Sequence, residues 1–93
     1  MLVWNLNALA SLHWQCWNNE WAVFDVGSGQ THQMDTLTAT TLMMFESGPM
    51  DLAALSSQVT ADLLIPSSAE INTVLMGTVD HLVAAGLLES VSA

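Results

Sequence analysis

Three histidines, one cysteine and nine carboxylates are the groups through which this chain could do chemistry, for its 93 residues include no lysine and no arginine. Metal binding is the first chemistry to test. His13, His32 and His81 come from separate segments, and no pair has the HxxxH or HExxH spacing that sets two ligands on one helical face. A three-histidine site assembled by folding is the alternative that spacing leaves open. The lone cysteine excludes an internal disulfide and a multi-cysteine zinc site. Cys16 lies in an aromatic stretch with no neighbouring cation to lower its pKa, so it is expected as a small buried residue rather than a nucleophile. The run Gly27-Ser28-Gly29 has neither the length nor the following lysine of a phosphate loop. No Ser/His/Asp arrangement follows from the spacing. The expectation is a protein without catalytic residue, metal or cofactor, and not an enzyme.

The charge balance narrows the partners. A net charge of −9 with no cationic side chain opposes binding to nucleic acid, which needs cations to replace the phosphate counterions. Anionic membrane surfaces are disfavoured for the same reason. Cationic or neutral apolar partners fit such a field, although a merely solubilising acidic surface would have the same composition. Gathering nine acids without compensating cations is expected to make the fold more stable from pH 7 towards about 5, and in added salt. Helix-capping acids at Asp35 and Asp51 oppose that trend locally. The opening residues lack the basic start of a signal peptide, and the longest apolar run, Leu82–Leu88, is far shorter than a membrane span. A cytoplasmic protein is expected.

These residues must be positioned by one domain, residues 1–93, whose 52% apolar content suffices for a modest core. Leu12–Trp17 and Glu20–Val26 read as two strands joined by a tight turn at Asn18-Asn19. Trp21, Val23 and Asp25 point to one face, and Ala22, Phe24 and Val26 to the other. After Gly27–Gly29, Thr31–Met34 reads as a third short strand, while Leu2–Leu6 is a candidate extra edge strand. At Asp35 the period changes from 2 to 3.6. Asp35 caps a helix with Leu37, Thr38, Thr41, Leu42, Met44 and Phe45 on one arc, ended by Gly48-Pro49. A second helix near Asp51–Leu63 carries Leu52, Leu55, Val59 and Leu63. Ile65–Ser68 breaks the chain, Ser68 caps a third helix to about Ala85, and Gly86 stops it. Leu87–Val91 is left as a short strand or tail. The fold class is α+β and winged helix-turn-helix-like: an N-terminal three-stranded antiparallel sheet, three helices, and a short C-terminal strand or tail.

The ordered blocks Leu12–Asp35, Gly48–Leu55 and Leu82–Glu89 resemble the PqqD-like peptide chaperones. The similarity lies in the tryptophan-rich hairpin, the Ser-Gly-x-Thr-His-x-x-Asp turn at residues 28–35 and the Gly-Leu-Leu-Glu ending. The branch named after the HPr-rel-A system is most similar. Its relatives carry some arginines, and this chain carries none. The resemblance implies a recognition element for ribosomally made, modified peptides. A precursor's leader segment would add as a strand to the third strand, pack against the third helix and be presented to a modifying enzyme. For that branch the implied neighbours are an HPr kinase-like protein and a nucleotidyltransferase.

Strand addition requires an unpaired edge beside an apolar groove. Thr31, His32, Gln33 and Met34 end a meander and are short and polar, as exposed edges are. His32 reads either as a turn-region side chain bonded to backbone or as a peptide contact. On the third helix, Ile71, Val74, Leu75, Thr78 and Leu82 have core spacing. Beside them runs a second stripe of Asn72, Met76, Val79 and Val83, bordered by Asp80. That stripe is either a wall of the groove, where an adaptable methionine suits a surface, or part of a wide core face with Met76 filling a gap. A structural adaptor that binds a folded protein, through the acidic surface or the tryptophans, is the competing function. The oligomeric state is not fixed by the sequence.

Overall fold

The computed structural model describes residues 2–18, 20–66 and 68–92. Its elements run β1 (Leu2–Leu6), β2 (Leu12–Trp17), β3 (Glu20–Asp25), β4 (Gln30–Met34), α1 (Thr36–Met44), β5 (Met50–Asp51), α2 (Leu52–Leu63), α3 (Ala69–Ala84) and β6 (Leu88–Ser92). A single 3-10 turn, Phe45–Ser47, separates α1 from β5. The α+β architecture agrees with the sequence reading, including the hairpin meander, the three helices and the closing strand. Asn19 of the hairpin turn and Ser67 of the break before α3 lie outside the described residues. Asn18 has the positive φ, 50°, that a tight two-residue turn demands.

Two antiparallel three-stranded sheets flank the helices. One has the order β2-β3-β4, and the other β5-β1-β6. The second sheet corrects the expectation for Leu2–Leu6, which is a central strand and not an additional edge of the hairpin. Trp4 pairs with Met50 on one side and Ser90 on the other, and its side chain is only 3% exposed. Burying so large an apolar group requires cover on every side. The distant segments containing Met50 and Leu88 supply that cover.

Each helix begins on a side-chain cap, as the sequence anticipates. Asp35 Oδ1 accepts the Thr38 N–H at 2.8 Å, Asp51 Oδ1 accepts that of Ala54 at 2.8 Å, and Ser68 Oγ accepts that of Ile71 at 3.2 Å. Gly86, at φ 81°, ends α3 in a left-handed turn whose next residue bonds back, Leu87 N–H to the Leu82 carbonyl at 3.0 Å. The expected single arc on α1 is broader in the fold: Ala39, Thr40, Thr41 and Leu42 are all buried. This helix packs on β3, α2 and α3, so little of its circumference faces water. Thr41 is tolerated there because its hydroxyl donates to the Leu37 carbonyl at 2.8 Å. The core joins Trp4, Val23, Leu42, Phe45, Leu55, Val59, Leu75, Val79, Leu82 and Leu88.

Candidate functional site

The β2-β3-β4 sheet presents one face to the core and the other to solvent. Register places Trp14, Val23 and His32 in one inner row, and Cys16, Trp21 and Met34 in the next. Val23 is fully buried, and Trp14, Trp21, His32 and Met34 are half-buried. Trp14 and Trp21 meet edge to face, with ring centres 6.0 Å apart and planes at 85°. The Trp14 indole N–H donates to Glu46, tying β2 to the turn after α1. On the outer face Phe24 stands between His13 and Thr31, while Trp17 lies opposite Glu20 nearer the hairpin turn. Phe24 and Trp17 are 43% and 44% exposed, large apolar surfaces on this outer face.

One hydrogen bond fixes which backbone groups of β4 are free. The Val26 N–H donates to the Ser11 carbonyl at 2.9 Å, so that opposed pair is a bonded pair. Bonded pairs alternate along an antiparallel ladder. Ala22 and Phe24 therefore turn their backbone groups to β2, and Trp21, Val23 and Asp25 turn theirs to β4. On β4 it follows that Gln30, His32 and Met34 bond to β3, and that the N–H and C=O of Thr31 and Gln33 point outward. Among the described residues no strand pairs with that side.

A buried acid anchors the start of this edge. The Asp25 carboxylate is 5% exposed and accepts the backbone N–H groups of Ser11 and Gly27, each at 3.0 Å. The Ser11 bond holds its carboxyl below the usual range, outweighing the opposing effect of burial. Gly27 is required at this corner, since a Cβ there would lie 1.9 Å from the Leu9 carbonyl oxygen. Beyond the other end of β4, Asp35 is likewise held low by the Thr38 amide. A cleft of about 280 Å³ opens there, lined by Glu20, Trp21, Gln33, Met34 and Asp35.

The expected site residues divide into separate groups. Thr31 and Gln33 are exposed on the edge, Met34 packs partly into the core, and His32 is half-buried with Nε2 unbonded among the described residues. Asn72 lies elsewhere, in a polar cleft of about 310 Å³ with Ala53, Ser56, Ser57 and Thr60 between α2 and α3. Its Oδ1 is also buried and unbonded among the described residues. Val79 is a correction: at 0% exposure it belongs to the core and offers a partner no surface. Val74, expected in the core stripe, is instead 47% exposed. The buried line of α3 is Leu75, Val79 and Leu82, rotated from the expected stripe because α3 rests mainly on α2, β6 and α1. Met76 is partly buried, while Asp80 and Val83 face solvent. Cys16 is exposed, not buried, since it lies towards the hairpin turn, beyond the Trp14 row that packs on the core.

Sequence reasoning missed Glu20, Trp21 and Asp35 as neighbours of the edge. The signal was available in the hairpin register, which sets Trp21 opposite Met34. No group of three His, Cys, Asp or Glu side chains converges in a metal-binding arrangement among the described residues. No helix among them is long and apolar enough to cross a membrane.

Comparison with known proteins gives the fold a relative. The chain shares its fold with TbiB1, whose structure was solved in complex with the TbiA(beta) leader peptide. The two superpose with a TM-score of 0.69 over 96% of this chain and 99% of TbiB1, at 12% sequence identity. No family model matches the sequence, and no curated protein matches it.

Proposed function

We propose that this chain is a non-catalytic, PqqD-like peptide-binding chaperone, which docks a precursor's leader segment by strand addition to β4 and presents it to a modifying enzyme. The observation that carries the reading is the free edge of Thr31 and Gln33, in a fold shared with a protein solved around a leader peptide. Two outward residues offer two donors and two acceptors, enough to hold about three residues of an added strand in register. Backbone bonds supply little specificity. Side chains opposite His32 and Met34 would fall on the inner side, near Trp21, and those opposite Thr31 and Gln33 on the outer side near Phe24. Met76, Asp80 and Val83 are the surface members of α3 assigned to the far wall. In the reading, Val79 supports them from beneath and Asn72 lies at the margin.

The HPr-rel-A branch supplies the partners to test: its precursor peptides, an HPr kinase-like protein and a nucleotidyltransferase. The experiment is an NMR titration of labelled protein with leader peptides encoded beside it. Strand addition shifts the Thr31 and Gln33 amides most, with smaller changes at His32 and Met34, whose N–H groups already bond to β3. Shifts elsewhere with β4 unmoved would refute the docking mode.

A second reading is favoured by one feature, the uncovered aromatic pair Trp17 and Phe24. There the chain is an adaptor whose outer sheet face binds a folded partner such as the HPr kinase-like protein. A stable complex that survives Met76→Asp and is lost on Phe24→Ser would select it.

A further inference from the structure

The cleft at the end of β4 says something about the peptide itself. It is lined by the half-buried Trp21, by Gln33 and Met34, and by two acids, Glu20 and Asp35, that border the same space. Gln33 and Met34 belong both to this cleft and to the open strand, so a chain added along β4 runs directly into it. Asp35 gives one oxygen to the Thr38 amide, which keeps the group anionic at neutral pH. Nothing in the protein can neutralise this rim by an ion pair with lysine or arginine, because the chain has neither. A metal ion is a poor occupant, since no third acid, histidine or cysteine converges with these two among the described residues. An aromatic residue and two acids bordering one space suit a planar organic cation. A guanidinium can stack on an indole and donate to a carboxylate, which a compact ammonium does less well.

We propose that the cleft of Glu20, Trp21, Gln33, Met34 and Asp35 receives an arginine side chain of the docked peptide, placed just past the residue bonded to Gln33. This rests on the strand-addition reading for its biological sense, but the cleft can be tested without it. The probe is N-acetyl-arginine methylamide, with the citrulline analogue as an isosteric neutral control. Neither is long enough to add a strand, so β4 pairing does not enter the result.

The expected result is a saturable shift of the Trp21 indole N–H and the Glu20 and Asp35 amides with arginine. Citrulline should bind at least about tenfold more weakly, the loss expected when a charge-assisted contact becomes neutral. Glu20→Gln and Asp35→Asn should each weaken the shift, and asparagine retains the helix cap, so the fold persists. High salt should also reduce it. Three results overturn the proposal: no shift at the highest soluble concentration, equal shifts from citrulline, or unsaturated shifts spread over remote acids such as Asp62, Asp80 and Glu89. A longer peptide that moves Thr31 and Gln33 equally with arginine or citrulline would leave strand addition standing and remove the arginine alone.

Discussion

The two sheets of this protein treat their surfaces in opposite ways. The β5-β1-β6 sheet is assembled from segments far apart in the chain, and Trp4, Met50 and Leu88 are sealed within it. The β2-β3-β4 sheet is a local meander with two partly exposed aromatics on its outer face and a β4 edge that pairs with no strand among the described residues. Long-range pairing costs chain entropy and is sustained by burial. A meander forms at lower entropic cost and can leave an edge open. Stability is therefore expected to be concentrated in the first sheet, while the second keeps an open edge.

The largest expected effect tests that division directly. Trp4→Ala should cost about 3–5 kcal/mol, a large part of what a domain of this size possesses. The melting temperature should drop by about 15 °C or more. Phe24→Ala, an aromatic of comparable prominence on the open sheet, should cost about 1 kcal/mol or less. Thermal melts of both variants decide the matter, and equal losses would erase the distinction.

Next in size is a proline pair that separates the two sides of β4. Gln33→Pro removes an outward N–H, which an edge strand tolerates, and places a ring where an incoming strand would lie. The fold should persist while leader-peptide affinity falls at least about tenfold, measured by calorimetry. His32→Pro removes an N–H bonded to β3 and should destabilise the domain by about 2 kcal/mol. If the two effects were exchanged, the deduced phase of the ladder would be wrong.

The open sheet was the more legible in sequence, and the reason is physical. Its strands, its turn and the cap that follows it are local: the Asn18 turn, the alternation around Val23 and the cap at Asp35 are each encoded within a few residues. The closed sheet depends on contacts such as Leu6 with Leu88, which no short window contains. Candidate residues on β4 were legible because period-two alternation assigns faces directly. On α3 the expected stripe was rotated, since the buried arc of a helix is chosen by its neighbours. Val74 and Val79 have identical side chains, and only the positions of α1, α2 and β6 decide that one is exposed and the other sealed.

A smaller effect follows from Asp25 and Asp35, whose carboxyls the Ser11 and Thr38 amides hold below the usual carboxylate range. A group whose folded pKa is depressed contributes stability above its unfolded value, and that contribution is lost as pH falls through the folded one. Neither acid therefore changes stability between pH 7 and 5. Below about pH 4 both should be lost, Asp25 at the start of the β4 turn and Asp35 just beyond the strand. Amide shifts of Ser11, Gly27 and Thr38 should move together in that range, ahead of global unfolding. Unmoved amides would mean that these carboxylates do not hold β4.

The smallest effect asks whether the edge exists before the peptide arrives. Leu64 follows α2 in the left-handed region, at φ 56°, and its side chain is 91% exposed. It gains no burial to offset a conformation that costs a non-glycine residue about 1 kcal/mol. Leu64→Gly relieves the strain, though glycine also gives the unfolded chain more freedom, so the net stabilisation should be about 0.5 kcal/mol or less. The substitution lies in neither sheet and touches none of the residues assigned to the partner. If Thr31 and Gln33 are already held as a strand by β3, leader-peptide affinity should be unchanged while the melting temperature rises. A gain in affinity equal to the gain in stability would mean instead that the open sheet orders only as the whole domain does, and that its separation from the sealed one is structural but not energetic.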